Sequence, residues 1–179
     1  MNSTQKTYLW IIIFLSIIGI ILSLDLAKSH IISSSTNAPC DISPSVSCSL
    51  VNTSTYSELL GVPVALFGVL WFVALGILAL VILFRTDHSY LITALMYWNG
   101  IGILFVIYLI IAEFILRTLC PLCTVIHLLV VISLALSVLL YRSHPVKSSF
   151  KDLFKQLKYW IILFMFLNLV PIIFFNTIW

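Results

Sequence analysis

Five apolar stretches, each long enough to cross a bilayer, set the limits on how this chain can fold. They cover residues 8–24, 59–84, 91–116, 121–141 and 159–178. About 20 apolar residues in a helix span the roughly 30 Å hydrocarbon core. Only 8% of the residues are charged and 62% are hydrophobic, whereas soluble domains are about 25% charged. The sequence therefore predicts an all-α, polytopic membrane protein with one domain over residues 1–179.

The first and last stretches each need an interpretation. Lys6 precedes the first stretch, as in a signal peptide, but this apolar run is long for one and no A-x-A-like cleavage site follows closely. We therefore expect a retained span. The fifth stretch contains Pro171, which a membrane helix tolerates, usually with a kink.

Basic residues predict the orientation, because loops rich in Lys and Arg face the cytoplasm. With five spans and the last loop inside, the N-terminus is cytoplasmic and the C-terminus extracytoplasmic. Two basic residues, Lys28 and Arg117, then lie outside. The seven inside are Lys6, Arg85, Arg142, Lys147, Lys151, Lys155 and Lys158. A net charge of +3 gives no indication of a nucleic-acid partner, and the bilayer is the expected surroundings of the chain.

This topology places all four cysteines at the extracytoplasmic face. Cys40 and Cys48 (the loop pair) lie in the polar loop 25–58, and Cys120 and Cys123 (the membrane pair) lie where the fourth span begins. Disulfides persist in extracytoplasmic compartments. Four cysteines allow three pairings. We expect the two local pairings in the ground state, with exchange between the pairs as the possible function.

The C-P-L-C stretch of the membrane pair indicates redox chemistry. Pro121 suits the first helical position, with Cys120 as the cap, and a C-x-x-C pair at a helix start favours the reactive thiolate. Two structural disulfides in a non-catalytic scaffold are an alternative. A four-thiolate zinc site is another, but C-x₇-C with C-x₂-C fits zinc poorly, so no metal is predicted.

The order of these motifs resembles vitamin K epoxide reductase and its bacterial and archaeal homologues. The loop pair comes first and the C-x-x-C pair late, whereas the quinone-linked oxidase DsbB has the opposite order. Ser54 lies six residues after the second loop cysteine, where the family has Ser or Thr. The run 61–68, GVPVALFG, is similar to the G-x-P-x-x-x-F-G of prokaryotic members. The resemblance covers roughly residues 8–141.

The resemblance implies a four-helix bundle around a quinone of the ubiquinone, menaquinone or vitamin K type, with a fifth transmembrane helix. By the same resemblance, Cys123 is nearest the quinone and Cys120 is its partner. Electrons from a dithiol would enter at Cys40 and Cys48. Cys48 and Cys120 would form the disulfide that joins the two pairs, since exchange proceeds through a mixed disulfide.

Two residues depart from the vertebrate enzymes of this family. Val64 replaces an Asn that holds the quinone oxygen, and His127 replaces a Tyr four residues after the C-x-x-C. Both departures argue against vitamin K epoxide chemistry, and the fifth span favours the prokaryotic type. Many prokaryotic homologues carry a fused thioredoxin-like domain. Because the chain ends at Trp179, we expect a separate thioredoxin-fold, DsbA-like partner.

A few further residues are candidates for the quinone site and its surroundings. His127 lies at i+4 from Cys123, so both can share one helix face. Phe67 and Trp71 could line the quinone site together with Ser54, although aromatic residues in a bundle are commonly packing. Glu113 and Arg117 are also i, i+4, and we expect them to pair or to extend towards the interface.

The interpretation is a quinone-linked enzyme that reoxidises a DsbA-like protein for extracytoplasmic disulfide formation. A rival within the same chemistry is reduction of vitamin K epoxide or quinone by a thioredoxin-fold reductant. The scaffold with structural disulfides is the rival of another class, and its disulfides would resist glutathione.

Overall fold

Long helices make up most of the protein. The computed structural model describes residues 2–32, 40–85 and 89–143, together with Lys158 and Leu169. In chain order these contain α1 (Ser3–Ile32), α2 (Cys48–Asn52), a 3-10 turn (Thr55–Ser57), β1 (Glu58–Leu59), β2 (Val62–Pro63), α3 (Val64–Phe84), α4 (Ser89–Leu116) and α5 (Pro121–Ser143). Helices α1, α3, α4 and α5 are each long and apolar enough to cross a membrane. The predicted all-α membrane fold is confirmed. The predicted fifth span, 159–178, lies outside the described residues except for Leu169.

Helix α1 is longer than the apolar stretch that predicted it. It continues from residue 24 to Ile32, because the polar loop holds its last turns. The Asn52 amide donates hydrogen bonds to the Leu26 carbonyl and to the Ser29 hydroxyl, both at 2.8 Å, and the His30 ring contacts the Asn52 carbonyl. Thirty residues give a helix of about 45 Å, so the last turns extend beyond the hydrocarbon core.

Helix α3 begins later than predicted because a tight hairpin precedes it. Strands β1 and β2 pair antiparallel, and a two-residue turn joins them. Leu60 and Gly61 both have positive φ, 55° and 75°, which is the conformation that a two-residue hairpin of the primed type requires. The hairpin buries Val62 completely and leads the chain directly into Val64, the first residue of α3.

Small residues allow α1 and α3 to pack closely. A Cβ on Gly19 would lie 2.5 Å from the Phe72 ring, and one on Gly68 would lie 3.0 Å from the Ser23 hydroxyl. Close approach at small residues is the usual basis of helix association in membranes. The apolar core above and below these contacts contains Leu9, Ile12, Phe72, Leu75, Ile82, Leu91, Ile92, Leu95 and Leu140.

Helices α4 and α5 are joined by a buried polar contact. The Asn99 amide donates to the Ser137 hydroxyl at 2.9 Å, and Ser137 in turn donates to the Ser133 carbonyl at 2.7 Å. Asn99 is fully buried, so the face of α4 that carries it packs on protein. The four long helices alternate in direction, and α1 and α4 end where α3 and α5 begin. We call this end, which carries all four cysteines, the disulfide end.

Candidate functional site

Two disulfides lie against each other at the disulfide end. Cys40 bonds to Cys48 with their Cα atoms 5.7 Å apart, and Cys120 bonds to Cys123 with theirs 5.2 Å apart. These are the two local pairings expected from the sequence. Cys48, Cys120 and Val51 form one buried apolar cluster, and Cys40 and Cys123 pack against its edges. The structure thus brings together both cysteine pairs, which are about 70 residues apart in the chain.

A short turn in the loop brings the two pairs together. Residues 43–46 fold back on themselves, with the Val46 N–H donating to the Ser43 carbonyl at 2.9 Å. Val46 then forms a parallel bridge with Leu119. The Leu119 N–H donates to the Ser45 carbonyl at 2.9 Å, and the Ser47 N–H donates to the Leu119 carbonyl at 3.0 Å. Because parallel segments advance side by side, the next residues of the two segments include Cys48 and Cys120.

Asp41 stabilises the turn in the conformation that forms the bridge with Leu119. Its carboxylate accepts hydrogen bonds from the Ser47 hydroxyl at 2.7 Å, from the Ser49 N–H at 3.0 Å and from the Ser49 hydroxyl. Ser47 also caps α2, since its hydroxyl accepts from the Leu50 N–H at 3.1 Å. A carboxylate with several donors is a strong local anchor, so Cys48 enters α2 at a fixed position.

The end of α4 directs the chain into the bridge. The Thr118 N–H donates to the Glu113 carbonyl and the Arg117 N–H to the Phe114 carbonyl, both at 3.2 Å. Arg117 has φ 52°. This is the Schellman ending of a helix, with Arg117 in the left-handed position that glycine usually occupies. The Thr118 hydroxyl then donates to the Pro44 carbonyl at 3.1 Å, which ties the reversed chain to the loop.

Cys120 caps α5, as the sequence predicts. Pro121 is the first helical residue, and the Cys120 carbonyl accepts from the Thr124 N–H at 2.9 Å. The Cys120 sulfur accepts from the Cys123 N–H at 3.2 Å. A side chain at the cap that accepts from the third helical N–H satisfies an otherwise free donor. When the disulfide is open, the same N–H and the positive end of the helix dipole favour a Cys120 thiolate.

Exposure differs within each pair. Cys48 is 1% exposed and Cys120 is fully buried, whereas Cys40 and Cys123 are only partly buried. Cys40 is therefore the more exposed residue of the loop pair, and Cys123 is the more exposed residue of the membrane pair. The two buried cysteines, Cys48 and Cys120, are the ones that belong to the buried part of the apolar cluster.

Glu113 is a residue of the site that the sequence analysis did not assign to it. A carboxylate oxygen of Glu113 and the sulfurs of Cys120 and Cys123 all lie within 4.8 Å of one another. Of the two alternatives expected for Glu113 and Arg117, the ion pair is not observed in the described part of the chain, because α4 ends at Leu116 and Arg117 is exposed beyond it. The spacing of seven residues from Glu113 to Cys120 spans the end of α4, so only the Schellman turn brings them together.

Three of the predicted quinone residues lie on the long helices, with Phe67 and Trp71 on α3 and His127 on α5, and the fourth, Ser54, lies in the loop. Trp71 is 9% and His127 is 7% exposed, and Trp71 Nε1 and His127 Nε2 are buried without a hydrogen-bond partner among the described residues. Phe67 lies one turn before Trp71 and is partly buried. Ser54 lies in the loop, where its hydroxyl donates to the Val51 carbonyl at 2.7 Å and helps to end α2.

Trp71 of α3 and Val130 of α5 meet at Gly102 of α4, and His127 lies one turn before Val130. Trp71 stacks on Trp98 with ring centroids 6.3 Å apart and packs on Gly102, which Val130 also contacts. Val130 is one turn beyond His127, and His127 is one turn beyond Cys123. The absence of a side chain at Gly102 is what leaves room for the Trp71 ring.

Four helices long and apolar enough to cross a membrane carry two adjoining disulfides at one end. These features define the class of this protein as a helical membrane protein with neighbouring cysteine pairs. The sequence profile of the Vitamin K epoxide reductase family matches residues 10–138, and the chain belongs to this family. Members of the family are oxidoreductases, and the family is quinone-linked. No curated protein matches the chain. The protein is therefore a multi-pass membrane protein of an oxidoreductase family, as the resemblance implies.

Proposed function

We propose that the protein is a quinone-linked thiol–disulfide oxidoreductase that reoxidises a separate DsbA-like, thioredoxin-fold protein. Its product would be disulfide bonds in extracytoplasmic proteins. The observation that carries the proposal is the order of exposure along the four cysteines, from Cys40 through the buried Cys48 and Cys120 to Cys123. A relay needs reachable sulfurs at its two ends and a protected contact between them.

The first step is reduction of the loop pair. A thiolate of the partner attacks Cys40, a partner–Cys40 disulfide forms, and Cys48 leaves as a thiolate. The partner's second thiol then displaces Cys40 and leaves with the partner's own disulfide. The loop pair keeps two electrons and takes up two protons. Attack at Cys40 rather than Cys48 follows from exposure, since exchange requires access to the attacked sulfur.

Transfer between the pairs follows within the apolar cluster. The Cys48 thiolate attacks Cys120, the Cys48–Cys120 bond forms, and the Cys120–Cys123 bond breaks with its electron pair on Cys123. Cys40 then attacks Cys48 and releases Cys120 as the second thiol of the reduced membrane pair. The helix N-terminus that begins at Pro121 stabilises the sulfur released at the cap. These residues, and all of 1–179, would act as one domain.

A bound quinone would supply the two-electron acceptor for the reduced membrane pair. Two features of the chain fit such a group. Trp71 Nε1 and His127 Nε2 are buried polar atoms without a partner among the described residues, and buried polar groups normally have one. Trp71 and Phe67 add apolar ring surface. Ser54 would act from the loop, where its hydroxyl oxygen retains acceptor capacity.

The disulfide end is assigned to the extracytoplasmic side. Among the described helices, Lys6, Arg85 and Arg142 lie at the opposite end, and Lys28 and Arg117 lie at the disulfide end. The remaining basic residues of the count fall in the segment that follows α5. This asymmetry supports a cytoplasmic N-terminus and an extracytoplasmic position for the cysteines, where disulfides persist.

The decisive experiment gives purified protein a quinone and a reduced thioredoxin-fold protein. We expect the partner's thiols to disappear as quinol appears, one quinol for each disulfide made. Protein without quinone and protein with all four cysteines replaced by alanine are the controls. The same assay with vitamin K epoxide in place of the quinone tests the rival. Oxidation of the partner with the epoxide as acceptor, and none with the quinone, would assign the rival reductase activity, and no reaction with either acceptor would leave a scaffold.

A further inference from the structure

Glu113 is the carboxylate nearest the membrane pair in the described residues, and the proposed exchange route does not use it. It lies in the last turn of α4, four residues before Arg117, the left-handed residue of the Schellman turn that leads to Cys120. One of its oxygens is within 4.8 Å of both sulfurs of the Cys120–Cys123 disulfide. No other carboxylate or histidine joins this group of three in the part of the chain that the structure describes.

The Glu113 carboxyl group has one oxygen without a hydrogen-bond partner among the described residues. One carboxylate oxygen of Glu113 lies within 4.8 Å of both sulfurs, so the side chain extends towards the disulfide. Oxygen Oε1 is buried and has no hydrogen-bond partner among the described residues. Arg117 is exposed, lies beyond the end of α4 and forms no ion pair with Glu113 in the described structure. Burial of an ionised carboxylate oxygen without a counter-charge is costly, and no counter-charge contacts this oxygen among the described residues.

Opening of this disulfide creates a need for a proton at the same place. When a thiolate attacks one sulfur, the electron pair of the broken S–S bond remains on the other sulfur, which leaves as a thiolate. That thiolate forms in apolar surroundings, between Cys48, Leu116 and Leu122. A nearby acid that donates its proton in this step lowers the cost of the leaving charge.

We propose that Glu113 is the proton donor and acceptor of the Cys120–Cys123 pair. In the exchange step, the Cys48 thiolate bonds to Cys120, Cys123 leaves with the electron pair, and the Glu113 carboxylic acid gives its proton to Cys123. The products are a Cys48–Cys120 disulfide, a Cys123 thiol and a Glu113 carboxylate. In the reverse step the carboxylate takes this proton back, and the Cys123 thiolate re-forms the bond to Cys120. The proposal rests on the proposed exchange between the pairs, but the step itself needs neither quinone nor partner.

The test measures opening of the membrane pair alone. In protein with Cys40→Ala and Cys48→Ala, dithiothreitol cleaves the Cys120–Cys123 disulfide, and alkylation with mass analysis follows the free thiols. Dithiothreitol attacks the more exposed Cys123, so Cys120 is the leaving sulfur here, and the Glu113 carboxylate lies within 4.8 Å of that sulfur as well. We expect Glu113→Gln, which keeps the size of the side chain, to slow cleavage by about 100-fold, the lower range for a positioned acid or base. Glu113→Asp keeps a carboxyl group and should recover part of the rate. Asp25→Asn removes an exposed carboxylate of α1 and should change nothing.

The loop pair serves as an internal control for folding. In protein with Cys120→Ala and Cys123→Ala, the rate of Cys40–Cys48 cleavage should be the same with and without Glu113→Gln. Equal cleavage of the membrane pair with and without Glu113→Gln would overturn the proposal. Equal slowing of the cleavage of both pairs would also overturn it, because Glu113 would then be structural. The proposal would likewise fail if a chelator made the Cys120–Cys123 disulfide re-form faster, because the three residues would then be a metal site. Absence of quinone reduction by the unmodified protein would refute the proposed function and leave this result standing.

Discussion

The backbone N–H of Cys123 donates a hydrogen bond to the sulfur of Cys120 at 3.2 Å. This contact makes Cys120 the cap of α5 and places the C-x-x-C disulfide at the positive end of a 23-residue helix. A sulfur that already accepts a hydrogen bond is a better leaving group as a thiolate. The two sulfurs therefore differ, with Cys120 stabilised as a thiolate and Cys123 left more accessible.

Loss of either membrane-pair cysteine should end turnover, because a two-electron transfer needs both sulfurs. Cys123→Ala should abolish quinone reduction. Cys120→Ala should do so as well, while leaving a Cys123 thiolate that is detectable as a charge-transfer absorbance when quinone is added. Quinone reduction measured by ultraviolet absorbance tests both variants. Near-normal reduction by either single variant would show that the pair is not the electron donor.

Removal of the outer loop cysteine should trap the bond between the pairs. In Cys40→Ala, no Cys40 thiol remains to attack Cys48 and release Cys120, so a Cys48–Cys120 disulfide should accumulate under oxidising conditions. Peptide mapping under non-reducing conditions detects it. Cys48→Ala is the matched control and should give no such product. A free Cys48 thiol as the sole product of Cys40→Ala would contradict exchange within the apolar cluster.

Asp41 should control how fast the pairs exchange. Asp41→Ala removes three hydrogen bonds to a carboxylate, and each such bond contributes about 1.5–3 kcal/mol. We expect slower electron transfer from the partner to quinone, because Cys48 is less often docked beside Cys120. Direct oxidation of the reduced membrane pair by quinone should be unchanged. Ser45→Ala is the control, since Ser45 joins the bridge through its backbone carbonyl; an equal effect there would argue against an anchoring role.

The membrane spans and the cysteine motifs were predictable from the sequence because each signal is local. Apolar length identified the four described spans, and Pro121 after Cys120 identified a helix start. The loop was less accessible to prediction. The bridge of Val46 to Leu119 joins segments that are far apart in the chain, and neither has a pattern that specifies the other. The extension of α1 to Ile32 depends in the same way on Asn52, a contact across the loop.

Glu113 shows the limit of helical spacing as a guide. Its i, i+4 spacing from Arg117 is typical of an ion pair on a continuous helix. The helix ends at Leu116, because Arg117 has the left-handed conformation that turns the chain back. This turn brings Cys120 rather than Arg117 to the Glu113 carboxylate. A non-glycine residue in that conformation has no strong sequence signature, so this part of the site required the structure.

Close packing of α1 on α3 predicts a sharp difference between two glycines. Gly19→Ala places a methyl group 2.5 Å from the Phe72 ring, and overpacking of this kind costs about 1–3 kcal/mol. Gly100→Ala meets nothing within 4 Å and should be neutral or slightly stabilising. Thermal unfolding of both variants in the same detergent measures the difference. A lower melting temperature for Gly100→Ala than for Gly19→Ala would contradict the packing described for α1 and α3.

His127 should tune the quinone end without affecting thiol exchange. Its Nε2 is buried and has no partner among the described residues, and the ring lies one turn beyond Cys123 on α5. A hydrogen bond to an acceptor that gains charge contributes about 1.5–3 kcal/mol, which is roughly 10- to 100-fold in rate if the bond forms only in the transition state. We therefore expect His127→Phe to slow quinone reduction by this factor while trapping of Cys48–Cys120 in the Cys40→Ala background stays the same. Leu128→Phe introduces the same ring at the neighbouring position, which is 55% exposed, and should leave both rates unchanged. Parallel loss of exchange and quinone reduction in His127→Phe would assign His127 to packing of α5, and unchanged rates would remove it from the quinone site.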